Sequence, residues 1–192
     1  MINNNNNEYY FYNYNFKDIA FYQNKKSYNI FIYEDFMKEI IFNTPNLNIP
    51  FGIEDYNNKK ILNLEFKNIK LNNNLYNLYS NIKNVESFFI NLNKNENIIK
   101  RPFPNNLLND IKNKKFISSI KDKENFDPLF RIHLKKVKRK YLTTFKKKKN
   151  NEEILYHEIK KMNGIFCICL KSLWISNDSY GLIWNLQSSI LN

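Results

Sequence analysis

Two stretches near the C-terminus limit the fold more than anything else in this chain. "GIFCICLKSLWIS" (164–176) and "LIWNLQSSIL" (182–191) are apolar runs, and "NDSYG" (177–181) between them is made of residues that tight turns require. The pair reads as two long strands of one hairpin. Trp174 and Trp184, flanked by leucines on the apolar sides of these strands, are expected in the core.

Shorter strands are legible upstream. "YNIFIY" (28–33) is the clearest part of a strand-like region from Ile19 to Tyr33. In "KILNLEFKNIKL" (60–71), Leu62, Leu64 and Phe66 point one way while Asn63, Glu65 and Lys67 point to solvent. "KKFISSIK" (114–121), "PLFRIHLKKV" (128–137) and "KYLTTFK" (140–146) complete the set. One amphipathic helix is expected over 74–92, because Leu75, Leu78, Ile82, Val85 and Phe89 recur at steps of three and four. "EDFMKEIIF" (34–42) predicts a short helical turn, and 101–113 a loop running into a short helix or turn. Many short strands around one helix predict a mainly β (α+β) fold, an OB-like β-barrel with one inserted amphipathic helix and additional strands. Residues 1–15, asparagine and tyrosine for the most part, are expected to form a loose N-terminal arm, and 16–192 a single domain.

Much familiar chemistry is missing. Three glycines in 192 residues leave no phosphate-cradling loop, and neither the Walker pattern nor the dinucleotide fingerprint occurs. His133 and His157 lie far from each other and from Cys167 and Cys169, without the usual spacing of a zinc site. No Ser–His–Asp arrangement or close carboxylate pair stands out. The expectation is a protein that is not an enzyme, with no cofactor and no metal. The N-terminus lacks a charged start followed by an apolar run, and no stretch approaches a membrane span. A soluble, intracellular protein with reduced thiols and no membrane partner is therefore expected.

What remains is charge. Thirty Lys and Arg against 18 Asp and Glu give +12, which favours a polyanion as partner. The heavy use of asparagine, lysine and isoleucine is the mark of AT-rich coding, so the asparagine clusters carry little functional weight, but such bias alone does not set the sign of the charge. On the strand from Pro128 to Val137, alternation sends Phe130, Ile132 and Leu134 inward and leaves Arg131, His133 and Lys135 on the other face. Lys136, Lys138, Arg139 and Lys140 continue the charge, Lys146 to Lys149 extend it, and Lys114, Lys115, Lys121 and Lys123 flank a neighbouring strand. Phe116, Phe126 and Tyr141 lie within this tract, with Phe145 beside it. A one-sign face accompanied by aromatic rings suits single-stranded nucleic acid, whose phosphates need cations and whose bases stack on rings.

Three stretches in order, "TPNLNIPFGIEDYNNKKILNLEF" (44–66), "KFISSIKDKENFDPLFRIHLKK" (115–136) and "LKSLWISNDSYGLIWNLQSSIL" (170–191), carry a resemblance. With the helix between the first two, they resemble the single-stranded DNA-binding proteins of large DNA viruses of eukaryotes, which are similar to the phage T7 gene-2.5-type binding protein. The resemblance covers about residues 44–191. It implies an OB-fold barrel with an inserted helix that coats single strands in replication, recombination and repair, at sites of viral DNA replication in cytoplasm or nucleus. The basic strand it implies is Arg131 to Lys136, after the "DP" turn. Phage-type proteins end in an acidic tail that recruits partners, whereas this sequence ends at "SSILN". Contacts with replication proteins and a homo-oligomer are left open by that departure. The alternatives are another nucleic-acid-binding factor, acting on RNA or in transcription, and a basic structural or virion protein.

Overall fold

The computed structural model describes residues 19–24, 27–32, 39–95, 99, 104 and 106–192. The arm expected over 1–15 lies outside them. The strands are β1 (Ile19–Asn24), β2 (Ser27–Ile32), β3 (Ile40–Asn43), β4 (Leu47–Ile49), β5 (Ile53–Tyr56), β6 (Lys59–Glu65), β7 (Lys115–Ile117), β8 (Ile120–Lys121), β9 (Leu129–Leu134), β10 (Lys136–Val137), β11 (Lys140–Tyr141), β12 (Thr144–Lys147), β13 (Met162–Ile175) and β14 (Ser179–Leu191). The helices are α1 (Asn73–Ile90), α2 (Leu92–Asn95) and α3 (Leu107–Ile111). The fold is mainly β, as the alternating runs predict.

The β13–β14 hairpin is the spine. The free edge of β13 is tiled in succession by β4 at Met162–Gly164, β3 at Cys167–Leu170 and β2 at Ser172–Trp174, all antiparallel. The free edge of β14 is tiled by β7 at Ser179–Gly181, β9 at Asn185–Leu186 and β12 at Ser188–Leu191, all parallel. Register shifts between Cys167 and Ile168, and between Leu170 and Ser172, mark irregularities of the bulge kind, which bend and twist a strand. The tiles also meet one another: β4 pairs with β6, and β6 with β9 over five residue pairs from Ile61–His133 to Glu65–Leu129. The path β13–β4–β6–β9–β14 therefore returns to β13 as a ring of five strands.

Alternation fills the ring. Phe130, Ile132 and Leu134 of β9 are buried, as the period-two pattern requires, together with Leu62, Leu64, Phe66, Phe166, Ile168, Trp184 and Leu186. Phe130 meets Trp184 edge-on at 5.6 Å between ring centres. Each such large apolar side chain contributes about 1.5–3 kcal/mol on burial. Helix α1 starts where the Asn72 side chain accepts hydrogen bonds from the Asn74 and Leu75 amides. Its stripe of Leu75, Leu78, Ile82, Val85 and Phe89 is buried as expected, with Phe89 against Phe21 and Tyr79 against Phe66.

Several expectations are corrected. Residues 40–42 of the expected helical turn (34–42) belong to strand β3, and 34–38 lie outside the described residues. The run 60–71 stops as strand at Glu65 and ends in a 3-10 turn at Ile69–Leu71. Asn63, expected in solvent, is 5% exposed: β5 pairs edge to edge with β6, and its Glu54 reaches across to accept a hydrogen bond from Asn63 Nδ2 at 2.7 Å. The 114–121 strand is split at Ser118–Ser119 into β7 and β8. Asparagine also carries structural weight after all. Of the eight non-glycine residues with positive φ among those described, six are asparagines: Asn57, Asn58, Asn68, Asn113, Asn125 and Asn151. A chain with three glycines makes its left-handed turns with the next most tolerant residue.

Candidate nucleic-acid interface

A cleft of about 500 Å³ opens on the outer face of the ring, lined by Tyr56, Asn57 and Lys59 on one side, Arg131 and His133 on its floor, and Ile117, Trp174 and Ser179 on the other side. Local rules place each group. Asn57 and Asn58, at φ 49° and 60°, make the tight β5–β6 turn, which sets Tyr56 opposite Lys59. Period two on β9 sends Arg131 and His133 to the face opposite Phe130 and Ile132. Gly181 lets the far wall close up, since a Cβ there would lie 2.6 Å from the Ile117 carbonyl oxygen and 2.9 Å from Trp174 Nε1.

The floor rests on a buried polar anchor. Glu86 of α1, 3% exposed, accepts hydrogen bonds from the Ser119 amide (2.7 Å), the Ser119 hydroxyl and the Ser118 hydroxyl (2.6 Å). Trp184 Nε1 in turn donates to Ser119 Oγ at 3.0 Å. Ser118 and Ser119 also line the cleft, so the helix holds its floor in place.

Arg131 lies with its guanidinium 4.8 Å from the centre of the Tyr56 ring, a cation–π contact. His133 is pushed down to about 4 by burial first, then by the positive charges of Lys59 and Arg131. It lines the cleft as a neutral ring near pH 7, so the basic face has one cation fewer than its sequence suggests. Lys121 is lowered by burial and then by Arg131, with Glu54 acting against them and Lys123 with them, which puts Lys121 in the same electrostatic neighbourhood. Lys60 is paired with Asp55 at 3.2 Å. Its neighbour Lys59 has no carboxylate partner among the described residues.

The other basic residues fall into separate groups. Lys136, Lys138, Arg139, Lys140 and Tyr141 form the small β10–β11 hairpin, whose exposed lysines sit beside the cleft because the Lys60 amide donates to the Tyr141 hydroxyl at 3.0 Å. The Tyr141 ring lies under the Lys136 ammonium and against Tyr156. Lys135 departs from the expected free cation: its Nζ donates to Gln187 Oε1 at 2.7 Å and lies 3.9 Å from Glu39, which also pairs with Lys171 at 2.9 Å. Lys114 Nζ is held by the Ser176 and Asn177 carbonyls at the end of the β13–β14 hairpin. Lys115 shares the β7 face of Ile117, while Phe116 turns the other way against Tyr180. Phe126 is 75% exposed on the turn that its amide makes with the Lys123 carbonyl. Lys147 pairs with Glu152, Lys146 is half-buried, and Lys148 and Lys149 are exposed. The structure thus brings Arg131, His133, Lys121 and the 136–141 hairpin to one side of the ring and sets Lys135 and Lys114 against acceptors.

Sequence reasoning missed Tyr56, Lys59 and Trp174. "YNNKK" (56–60) did carry a signal, two turn-forming asparagines between strands with lysines at the exit. Trp174, expected in the core, is half-buried at the cleft wall. Among the described residues no helix is long and apolar enough to cross a membrane. No family model matches this chain, and no curated protein matches it, so the reading of the cleft rests on its own geometry and charge.

Proposed function

We propose that the protein binds single-stranded DNA without strong sequence preference, through an OB-like barrel whose cleft stacks bases and whose rim neutralises phosphates. The observation that carries this reading is where the cleft sits. Taken in chain order, the ring strands β4, β6, β9, β13 and β14 are arranged 1-2-3-5-4, with one parallel pair, β9–β14, between the third and fifth. OB folds bind oligonucleotides on the face of strands 2 and 3, between loops 1–2 and 4–5. Here the face of β6 and β9 supplies Lys59, Arg131 and His133, the β4–β6 connection supplies Tyr56 and Asn57, and the β13–β14 end supplies Trp174 and Ser179. The rings of Tyr56 and Trp174 and the cations of Lys59 and Arg131 line one cleft, the combination on which a stacked, charged strand relies. The resemblance in sequence points the same way, and with it to a role on exposed strands in viral-type replication, recombination and repair.

Titration of a fluorescent oligothymidine at several salt concentrations tests the proposal. With about five phosphates neutralised, log affinity falls with log salt at a slope of roughly −3 to −4. Replacing Arg131, Lys59 and Lys121 together with alanine weakens binding at least about tenfold, since about two lost phosphate contacts and the loss of the Arg131 cation on the cleft floor lie in the range of 1.4 kcal/mol or more. In competition, single-stranded DNA displaces the probe at much lower concentration than duplex DNA or RNA. A flat salt response, or equal competition by all three, overturns the proposal.

A further inference from the structure

Among the described residues four buried side-chain polar atoms have no hydrogen-bond partner, and three of them lie together: Asn63 Oδ1, Arg131 Nε and His133 Nδ1. Asn63 stands directly across from Arg131 in the β6–β9 register, and His133 is the next residue along the same face of β9. Native proteins seldom leave such groups unsatisfied, and a cluster of them asks for a cause. Two side chains of the neighbouring strand β5 reach over the strip: Glu54 accepts from Asn63 Nδ2 at 2.7 Å, and Tyr56 lies against the Arg131 guanidinium. The bond to Glu54 fixes the amide orientation, so the unused Asn63 atom is an acceptor, beside the unused donor of Arg131. That cover is light: residues 54–56 are exposed, and among the described residues β5 pairs with β6 alone.

We propose that Asn63, Arg131 and His133 form a base-reading subsite, closed in the free protein by Glu54 and Tyr56, that takes the edge of one guanine. This inference rests on the single-strand-binding reading above and refines it at one nucleotide. A phosphate offers acceptors alone and leaves Asn63 Oδ1 unsatisfied, whereas a base edge offers acceptors and donors side by side. Guanine presents N7 and O6 to the fork of an arginine, its commonest specific partner, with the N1–H donor adjacent for the asparagine oxygen. Tyr56, once lifted from Arg131, remains at the mouth of the subsite as a ring for the same base to stack on.

The test is fluorescence anisotropy with an oligothymidine and with the same oligomer carrying one central guanine, adenine or cytosine. The expected result is at least about fivefold tighter binding of the guanine oligomer than of the other three. Asn63→Ala brings that ratio close to one, and Glu54→Ala, which uncovers the subsite, raises it. Glu54 is exposed, so its variant decides the matter should Asn63→Ala fail to fold: an unchanged guanine ratio in Glu54→Ala overturns the inference. A flat base profile, or a preference for cytosine or adenine, also overturns it while salt-sensitive oligothymidine binding leaves the broader reading standing. Absence of oligothymidine binding overturns both.

Discussion

Replacing Glu86 with alanine removes the polar anchor between α1 and the cleft floor. Its carboxylate accepts three hydrogen bonds from Ser118 and Ser119 at 3% exposure. Alanine strands the Ser119 amide inside the protein, at about 1–3 kcal/mol. It also removes two hydroxyl–carboxylate bonds and leaves a small void. The hydroxyls rotate to find other acceptors, so the losses do not add fully, and a net cost of about 4 kcal/mol is expected. Against a total of about 5–15 kcal/mol for a domain, that is a large fraction. Urea unfolding reads it directly: the midpoint falls by about 2 M for a slope near 2 kcal/mol/M, with the slope unchanged. Glu86→Gln keeps the shape and both acceptor positions to Ser119, and the Ser118 hydroxyl turns round to accept from the new amide, so about 1–2 kcal/mol is lost. A loss under about 1 kcal/mol for Glu86→Ala refutes the idea that this carboxylate anchors α1 to the cleft floor. Ser118 and Ser119 line the cleft, so Glu86→Ala also weakens oligothymidine binding in conditions where the protein stays folded.

Three further outcomes follow from named contacts. His133 is held at about 4, below its ordinary 6.5, so the unfolded chain binds the extra proton. Its contribution is full above about 6.5 and is lost as pH falls toward 4, on the order of 3 kcal/mol in all, and the difference in unfolding free energy between wild type and His133→Asn narrows across that window. Gly181→Ala forces a Cβ to within 2.6 Å of the Ile117 carbonyl and should cost about 1–3 kcal/mol, with a shift in Trp174 fluorescence; an unchanged spectrum and midpoint count against the tight wall. Lys135→Ala breaks the contacts to Gln187 and Glu39 and lowers stability by about 1 kcal/mol, with a smaller effect on DNA affinity than Arg131→Ala; the reverse order in titrations places Lys135 in the groove.

The parts of this fold that sequence determined are those set by local periods. Period two placed Phe130, Ile132 and Leu134 inward and Arg131 and His133 outward, steps of three and four drew the buried stripe of α1, and two apolar runs around "NDSYG" made the spine hairpin. Tertiary structure alone decided which segment covers which face. Asn63 alternates like a solvent residue, yet Glu54 of the neighbouring strand β5 bonds to it; Lys135 alternates like Arg131, yet Glu39, far away in the chain, meets it. Tyr56, Lys59 and Trp174 become cleft walls because a five-strand ring brings the β5–β6 turn and the end of the β13–β14 hairpin to either side of β9. A side chain's direction is fixed by its neighbours along the backbone, whereas its partners are fixed by strand pairing and ring closure, which join residues as distant as Ile49 and Met162 and leave no periodic trace.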